Sequence, residues 1–165
     1  MLGWFLVKDK IKWCVSKNEG LQLIDSNSNL AKAYIKKAQD AIESMRADIV
    51  RDWKISTAYY SLYFSLYAIM MKIGIRCEIH SCTIEFAKRF LKDYFNESEF
   101  KFLKNALKAR IDSQYYVDRA ISDDLYSGMI KMAPLFFVKC KSILGKLTEK
   151  RISAIRSEFD KAVKL

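Results

Sequence analysis

The stretch between Lys54 and Lys72 constrains this chain most, because Ile55 to Met71 is 17 residues without a charge, apolar or hydroxyl-bearing on every face. Such a segment has no side to leave in water, so it reads as a central helix with other elements packed round it. Crossing a membrane is the competing reading. Seventeen residues stand at the lower limit for spanning hydrocarbon, and four tyrosines with Ser and Thr hydroxyls are costly there, so no membrane partner is expected. Tyr59, Tyr63 and Tyr67 follow at i, i+4 and i+8, with Tyr60 one step round. A tyrosine seam of this kind packs a core or a dimer contact, each hydroxyl finding a polar partner.

What surrounds that helix is also read as helical. Five Gly and one Pro in 165 residues, with 51% hydrophobic residues, favour long uninterrupted elements and a single core over a turn-rich sandwich. Asp25-Ser26-Asn27-Ser28-Asn29 offers caps ahead of Leu30 to Ala47, where Leu30, Tyr34, Ala38, Ala41, Ile42 and Met45 form one apolar stripe. Gly74 is placed to end the central helix in a left-handed conformation, and Ser81 or Thr83 to cap the next, carrying Ile84, Phe86, Ala87, Phe90 and Leu91. After a break near Asn96, Glu99 to Arg110 is helical, and 112–121 loses its periodicity and is read as a loop. Ser122-Asp123-Asp124 opens a helix to about Ile143 that Pro134 should kink, and Gly145 precedes a short basic helix. The division is a 1–20 N-terminal extension, a 21–145 helical domain and a 146–165 basic C-terminal helix.

Charge and cysteines narrow the setting. Net charge is +10, and residues 139–165 carry eight Lys or Arg against Glu149, Glu158 and Asp160, half the total. That segment is either a solvated face or a surface for RNA or an acidic partner. Cys14, Cys77, Cys82 and Cys140 are too sparse for a disulfide scaffold, so a reducing, cytoplasmic setting with free thiols is expected. The opening Met1 to Val7 lacks the basic start and cleavage site of a signal peptide.

Several chemistries are disfavoured. There is no GxGxxG, and Gly145-Lys146 has Cys140 where a Walker loop needs its first glycine. Nor is there a Gly-Ser followed by paired Asp, so the chain does not read as a nucleotidyltransferase. Cys77, His80 and Cys82 lack a fourth ligand and a recognised zinc spacing, and His80 is the only histidine. No metal and no cofactor are expected, and His80 reads as a loop histidine beside two ordinary thiols.

Trp53-x4-Ala58-Tyr59-Tyr60-x2-Tyr63, then Gly74 and His80, then Arg110-x-Asp112-x2-Tyr115-Tyr116 together resemble the HEPN domain, in particular its small stand-alone prokaryotic members. The resemblance covers roughly residues 21–145 and implies an all-α, up-and-down helical bundle that pairs into a symmetric homodimer. Many HEPN proteins are metal-independent ribonucleases in which four to six residues separate an Arg from a following His. Arg110 matches the arginine, but Tyr115, Tyr116 and Val117 stand where the His should be. Some HEPN toxins also carry, two residues after that His, a Tyr modified by a partner nucleotidyltransferase, and this feature too is missing, Val117 standing at the matching place. A phenol of ordinary pKa about 10 is ionised in about one molecule per thousand at neutrality, so a tyrosine is a poor substitute base.

The expectation is therefore a catalytically weak or inactive HEPN-like partner protein, of the kind found in toxin-antitoxin or nucleotidyltransferase pairs. Its binding cleft for RNA or a nucleotide is expected at Arg110, Asp112, Tyr115 and Tyr116. The alternatives are a divergent ribonuclease using Arg110 with Tyr115 or Tyr116, and a structural adaptor whose basic tail docks an acidic protein.

Overall fold

The computed structural model describes residues 9–164. The opening residues, and the reading that they form no signal peptide, lie outside this range. The described residues form an all-α bundle of seven helices: α1 (Lys10–Ser16), α2 (Ser28–Ala47), α3 (Arg51–Ile73), α4 (His80–Phe90), α5 (Glu97–Tyr115), α6 (Asp123–Lys146) and α7 (Glu149–Lys164). Two short strands, β1 (Gln22–Leu23) and β2 (Ile75–Arg76), pair antiparallel with Leu23 opposite Ile75.

Helix α3 is the axis, as its sequence demands. Ile55, Leu62, Leu66, Ile69, Met70 and Ile73 are withdrawn from solvent, each such side chain contributing about 1.5–3 kcal/mol. Two of its serines are buried too and are satisfied by the helix itself: Ser61 Oγ donates to the Ala58 carbonyl at 2.8 Å and Ser65 Oγ to the Ser61 carbonyl at 2.6 Å. Bonding back to its own turn lets a polar but uncharged helix enter a core without orphaned groups. α2 makes the most extensive contact with α3, and α6 and α5 cover further sides.

The ends of the helices are set by local chemistry. Asn27 caps α2 by accepting from the Leu30 N–H at 2.8 Å, and Ser122 caps α6 by accepting from the Leu125 N–H at 3.2 Å. Asn96 forms a reciprocal capping box with Glu99, both bonds at 2.9 Å. Gly74 closes α3 at φ 90°, ψ 46°, the left-handed region that favours glycine. A Cβ at Gly74 would collide with the Arg156 guanidinium and lie 2.5 Å from the Ile24 carbonyl oxygen.

Four local expectations are corrected. Neither Ser81 nor Thr83 caps α4: the helix starts at His80, Ile79 holds the cap position, and no side chain bonds the first turn. α5 runs on to Tyr115 rather than ending near Arg110, because Asp112 is buried and pairs with Lys108 one turn earlier. α6 runs through Pro134 to Lys146 rather than ending near Ile143, so Gly145 lies within its last turn, and the basic helix α7 follows from Glu149. The cysteines are not all thiols: Cys14 of α1 and Cys82 of α4 form a disulfide, their Cα atoms 5.7 Å apart, while Cys77 and Cys140 are free and buried. Sixty-eight residues separate the bonded pair, so only folding brings them together.

The flanking segments share the core. Ile11 and Cys14 of α1 are buried, as are Ile152, Ile155 and Phe159 of α7, whose three-and-four spacing makes one apolar stripe. Phe159 packs its ring 5.9 Å from Phe86 and 5.7 Å from Phe90. Arg156 on the same helix donates to the carbonyls of Ile24, Ile73 and Gly74 at 2.7, 3.0 and 3.1 Å. One α7 cation thus satisfies the strand entry and the α3 terminus. No helix among the described residues is long and apolar enough to cross a membrane.

Candidate functional site

The tyrosine seam of α3 carries its hydroxyls into the gap between α3 and the start of α4. Tyr59 OH and His80 Nδ1 share a hydrogen bond of 2.7 Å whose donor depends on the imidazole tautomer. Tyr63 OH donates to the Cys77 carbonyl at 3.4 Å, and Tyr67 OH accepts from the Cys77 N–H at 3.1 Å. His80 lies flat on Tyr63, ring centres 4.0 Å apart and planes within 6°. It is therefore no loop histidine but the first residue of α4, held in an aromatic stack.

Arg110 joins this group through Tyr60. The Arg110 Nη2 donates to Tyr60 OH at 2.7 Å, and the Tyr60 ring stands edge-on to His80 at 6.4 Å. Burial, reinforced by the Arg110 charge, lowers the His80 pKa to about 4, so the imidazole is neutral at physiological pH. Burial likewise pushes the Tyr59 and Tyr63 phenols well above their ordinary value. Arg110 Nε is buried without a hydrogen-bond partner, and no carboxylate pairs with this guanidinium among the described residues. A cation left without a counter-charge beside a neutral imidazole is an environment for an anion.

The four residues singled out from sequence do not line one cleft. Arg110 and Tyr115 stay together, the guanidinium 5.8 Å from the Tyr115 ring. Asp112 turns inward, where Lys108 bonds one carboxylate oxygen and Arg119 Nη1 the other at 2.8 Å. Burial works against that charge, but the two cations overcome it and hold the carboxyl below its usual range. Tyr116 belongs with Arg119, whose guanidinium sits 3.6 Å above its ring, and both line a separate depression of about 430 Å³ with Arg51 and Val117. Asp112 therefore anchors the 116–122 segment, while Arg110 faces Tyr60 and His80. The signal that could have located His80 was the tyrosine seam itself, since buried phenols need polar partners.

The basic C-terminal segment is partly engaged within the fold. Arg151 pairs with Asp93 at 2.8 Å, Lys139 with Glu99 at 2.6 Å and Lys164 with Asp160 at 2.6 Å, while Arg156 is held by carbonyls. Cys82 is bound to Cys14, which removes it from any ligand set with Cys77 and His80.

An all-helical bundle with an arginine, two tyrosines and a histidine gathered at the flank of its central helix defines a class of small helical domains. The chain belongs to the HEPN family: its residues 29–143 match the family model described as the HEPN domain. A comparison with curated proteins found no match.

Proposed function

We propose that this HEPN domain works by binding rather than by cutting, as a catalytically weak or inactive partner protein whose recognition centre is Arg110 with Tyr60 and His80. One observation carries the reading: Arg110 has a buried Nε without a partner and no carboxylate paired with it among the described residues, while burial keeps the imidazole of His80 neutral. Such an imidazole carries no acidic imidazolium proton at neutrality and is a weak base, while the phenols beside it are held protonated. What remains is an uncompensated guanidinium suited to a phosphate of RNA or a nucleotide.

The same reading includes a symmetric homodimer and a nucleotidyltransferase-type partner. Ile49, Val50, Trp53, Tyr115, Tyr116 and Val117 are exposed apolar or aromatic side chains, and Arg51 ties the α2–α3 turn to the α5–α6 connection through the Ile121 carbonyl at 2.9 Å. A patch of this kind supports burial against a second copy. Light scattering should return about twice the monomer mass, and a monomer at high concentration refutes the pairing.

A second reading, a metal-independent endoribonuclease, is favoured by Tyr60, which accepts from Arg110 and stands edge-on to His80. The test incubates the protein with tRNA and single-stranded RNA at neutral pH under EDTA. Binding without cleavage, weakened in Arg110→Ala, is the expected result. Cleavage lost in both Arg110→Ala and His80→Ala overturns the binding reading and establishes the enzyme.

A further inference from the structure

On the side of the bundle formed by α2 and α6 lies a groove of about 440 Å³, lined by Ser28, Ala31, Lys32, Ile35, Lys72, Lys141, Leu144 and Gly145. Its floor is apolar, from Ala31, Ile35 and Leu144, and its lining includes three lysines and no carboxylate. Lys32 and Lys141 are exposed and form no ion pair with any described residue. The groove is held open by the fold, because Lys72 Nζ donates to the Leu144 carbonyl at 2.7 Å and so ties the end of α3 to α6. Leu135 and Val138 extend the apolar surface along α6, exposed at 55% and 62%.

Gly145 gives the second observation. It sits inside α6, has no positive φ, and a Cβ there would meet nothing within 4 Å. Neither backbone conformation nor packing within the chain calls for glycine at this place in the last turn of α6. The open space it leaves belongs to the groove. A missing side chain over an apolar floor admits close approach by another backbone.

We infer that the α2–α6 groove is a docking site for an acidic amphipathic helix of a partner protein. The floor takes leucine-like side chains spaced one turn apart, the bare edge at Gly145 lets the incoming helix settle, and Lys32, Lys72 and Lys141 meet its carboxylates. The site is separate from Arg110 and does not depend on the anion-binding reading. It also differs from a polyanion surface on the C-terminal helix, where several cations already have partners.

The test titrates the intact protein with a synthetic peptide of about five helical turns, leucines along one face and glutamates elsewhere, followed by fluorescence anisotropy. The control peptide has the same composition with its leucines scattered round the helix. The expected result is a Kd on the order of 10 μM for the amphipathic peptide and at least about tenfold weaker binding of the control. Gly145→Leu fills the groove from a position with room for a side chain, and should weaken binding about tenfold while circular dichroism is unchanged. Lys32→Glu with Lys141→Glu should weaken it further and reduce its salt sensitivity.

Equal affinity for both peptides, no binding of either, or unchanged binding in Gly145→Leu overturns the proposal. Vesicles rich in anionic lipid form the other arm: binding to them that Gly145→Leu abolishes, with no peptide bound, identifies a membrane surface instead and overturns it too.

Discussion

Two groups of tyrosines on this chain look alike in sequence and behave oppositely in the fold. Tyr59, Tyr63 and Tyr67 are buried on α3, each hydroxyl engaged with His80 or the Cys77 backbone. Tyr115 and Tyr116 lie at the end of α5, exposed at 67% and 37%, with the guanidiniums of Arg110 and Arg119 over their rings. The first group builds a rigid wall and the second decorates a rim. The adjacent pair Tyr115-Tyr116 thus splits between two arginines, whereas residues a full turn or more apart on α3 act as one unit.

The largest expected difference between the two groups is in stability. Tyr63→Ala should cost about 3–5 kcal/mol by removing a buried ring that supports His80, whereas Tyr115→Ala should stay within about 0.5 kcal/mol, both read from denaturant midpoints. Similar losses at the two positions would break the comparison.

The wall has a covalent support that the rim lacks. Replacing Cys14 and Cys82 by serine should cost about 2–4 kcal/mol, since the bond closes a long loop and fixes α1 against the helix that begins with His80. Full stability in strong reductant would show that packing alone holds this side.

A third effect concerns protons. In the unfolded chain His80 titrates near its ordinary value of 6.5, whereas the folded protein resists protonation until about pH 4. Between those values the unfolded state binds more protons, so stability should fall as pH drops from about 6.5 to about 4. His80→Gln should flatten that slope. The buried carboxylate Asp112, with its pKa lowered, should lose its contribution at more acidic pH, as the pH falls from the ordinary carboxylate range through its folded value.

How far these features could be read in advance follows from how local their causes are. Asn27, Asn96, Ser122 and Gly74 set helix ends through neighbours a few residues away, so α2, the start of α5, α6 and the end of α3 were legible. The last turn of α5 was not: Asp112-Ser113-Gln114 breaks the apolar rhythm, and its burial depends on cations at Lys108 and Arg119. His80 was missed because the motif directs attention forward from Arg110, while the fold delivers a histidine from thirty residues earlier in the chain. The disulfide was missed because sparse cysteines argue against a scaffold, not against a single bond between helices distant in sequence.

The three carbonyls gathered by Arg156 bear on the order in which the molecule is completed during synthesis. Ile24 and Ile73 leave the ribosome long before Arg156 is made, so their carbonyls wait for this donor in the nascent chain, whereas the Gly74 carbonyl already accepts from the Ile24 N–H at 2.9 Å. α7 is the late-arriving latch of this fold: a chaperone or protease acting during translation meets an unfinished end at Gly74, and the mature protein hides it. A chain arrested before Arg156 emerges should therefore be cut near Gly74, and one released beyond Lys164 should not.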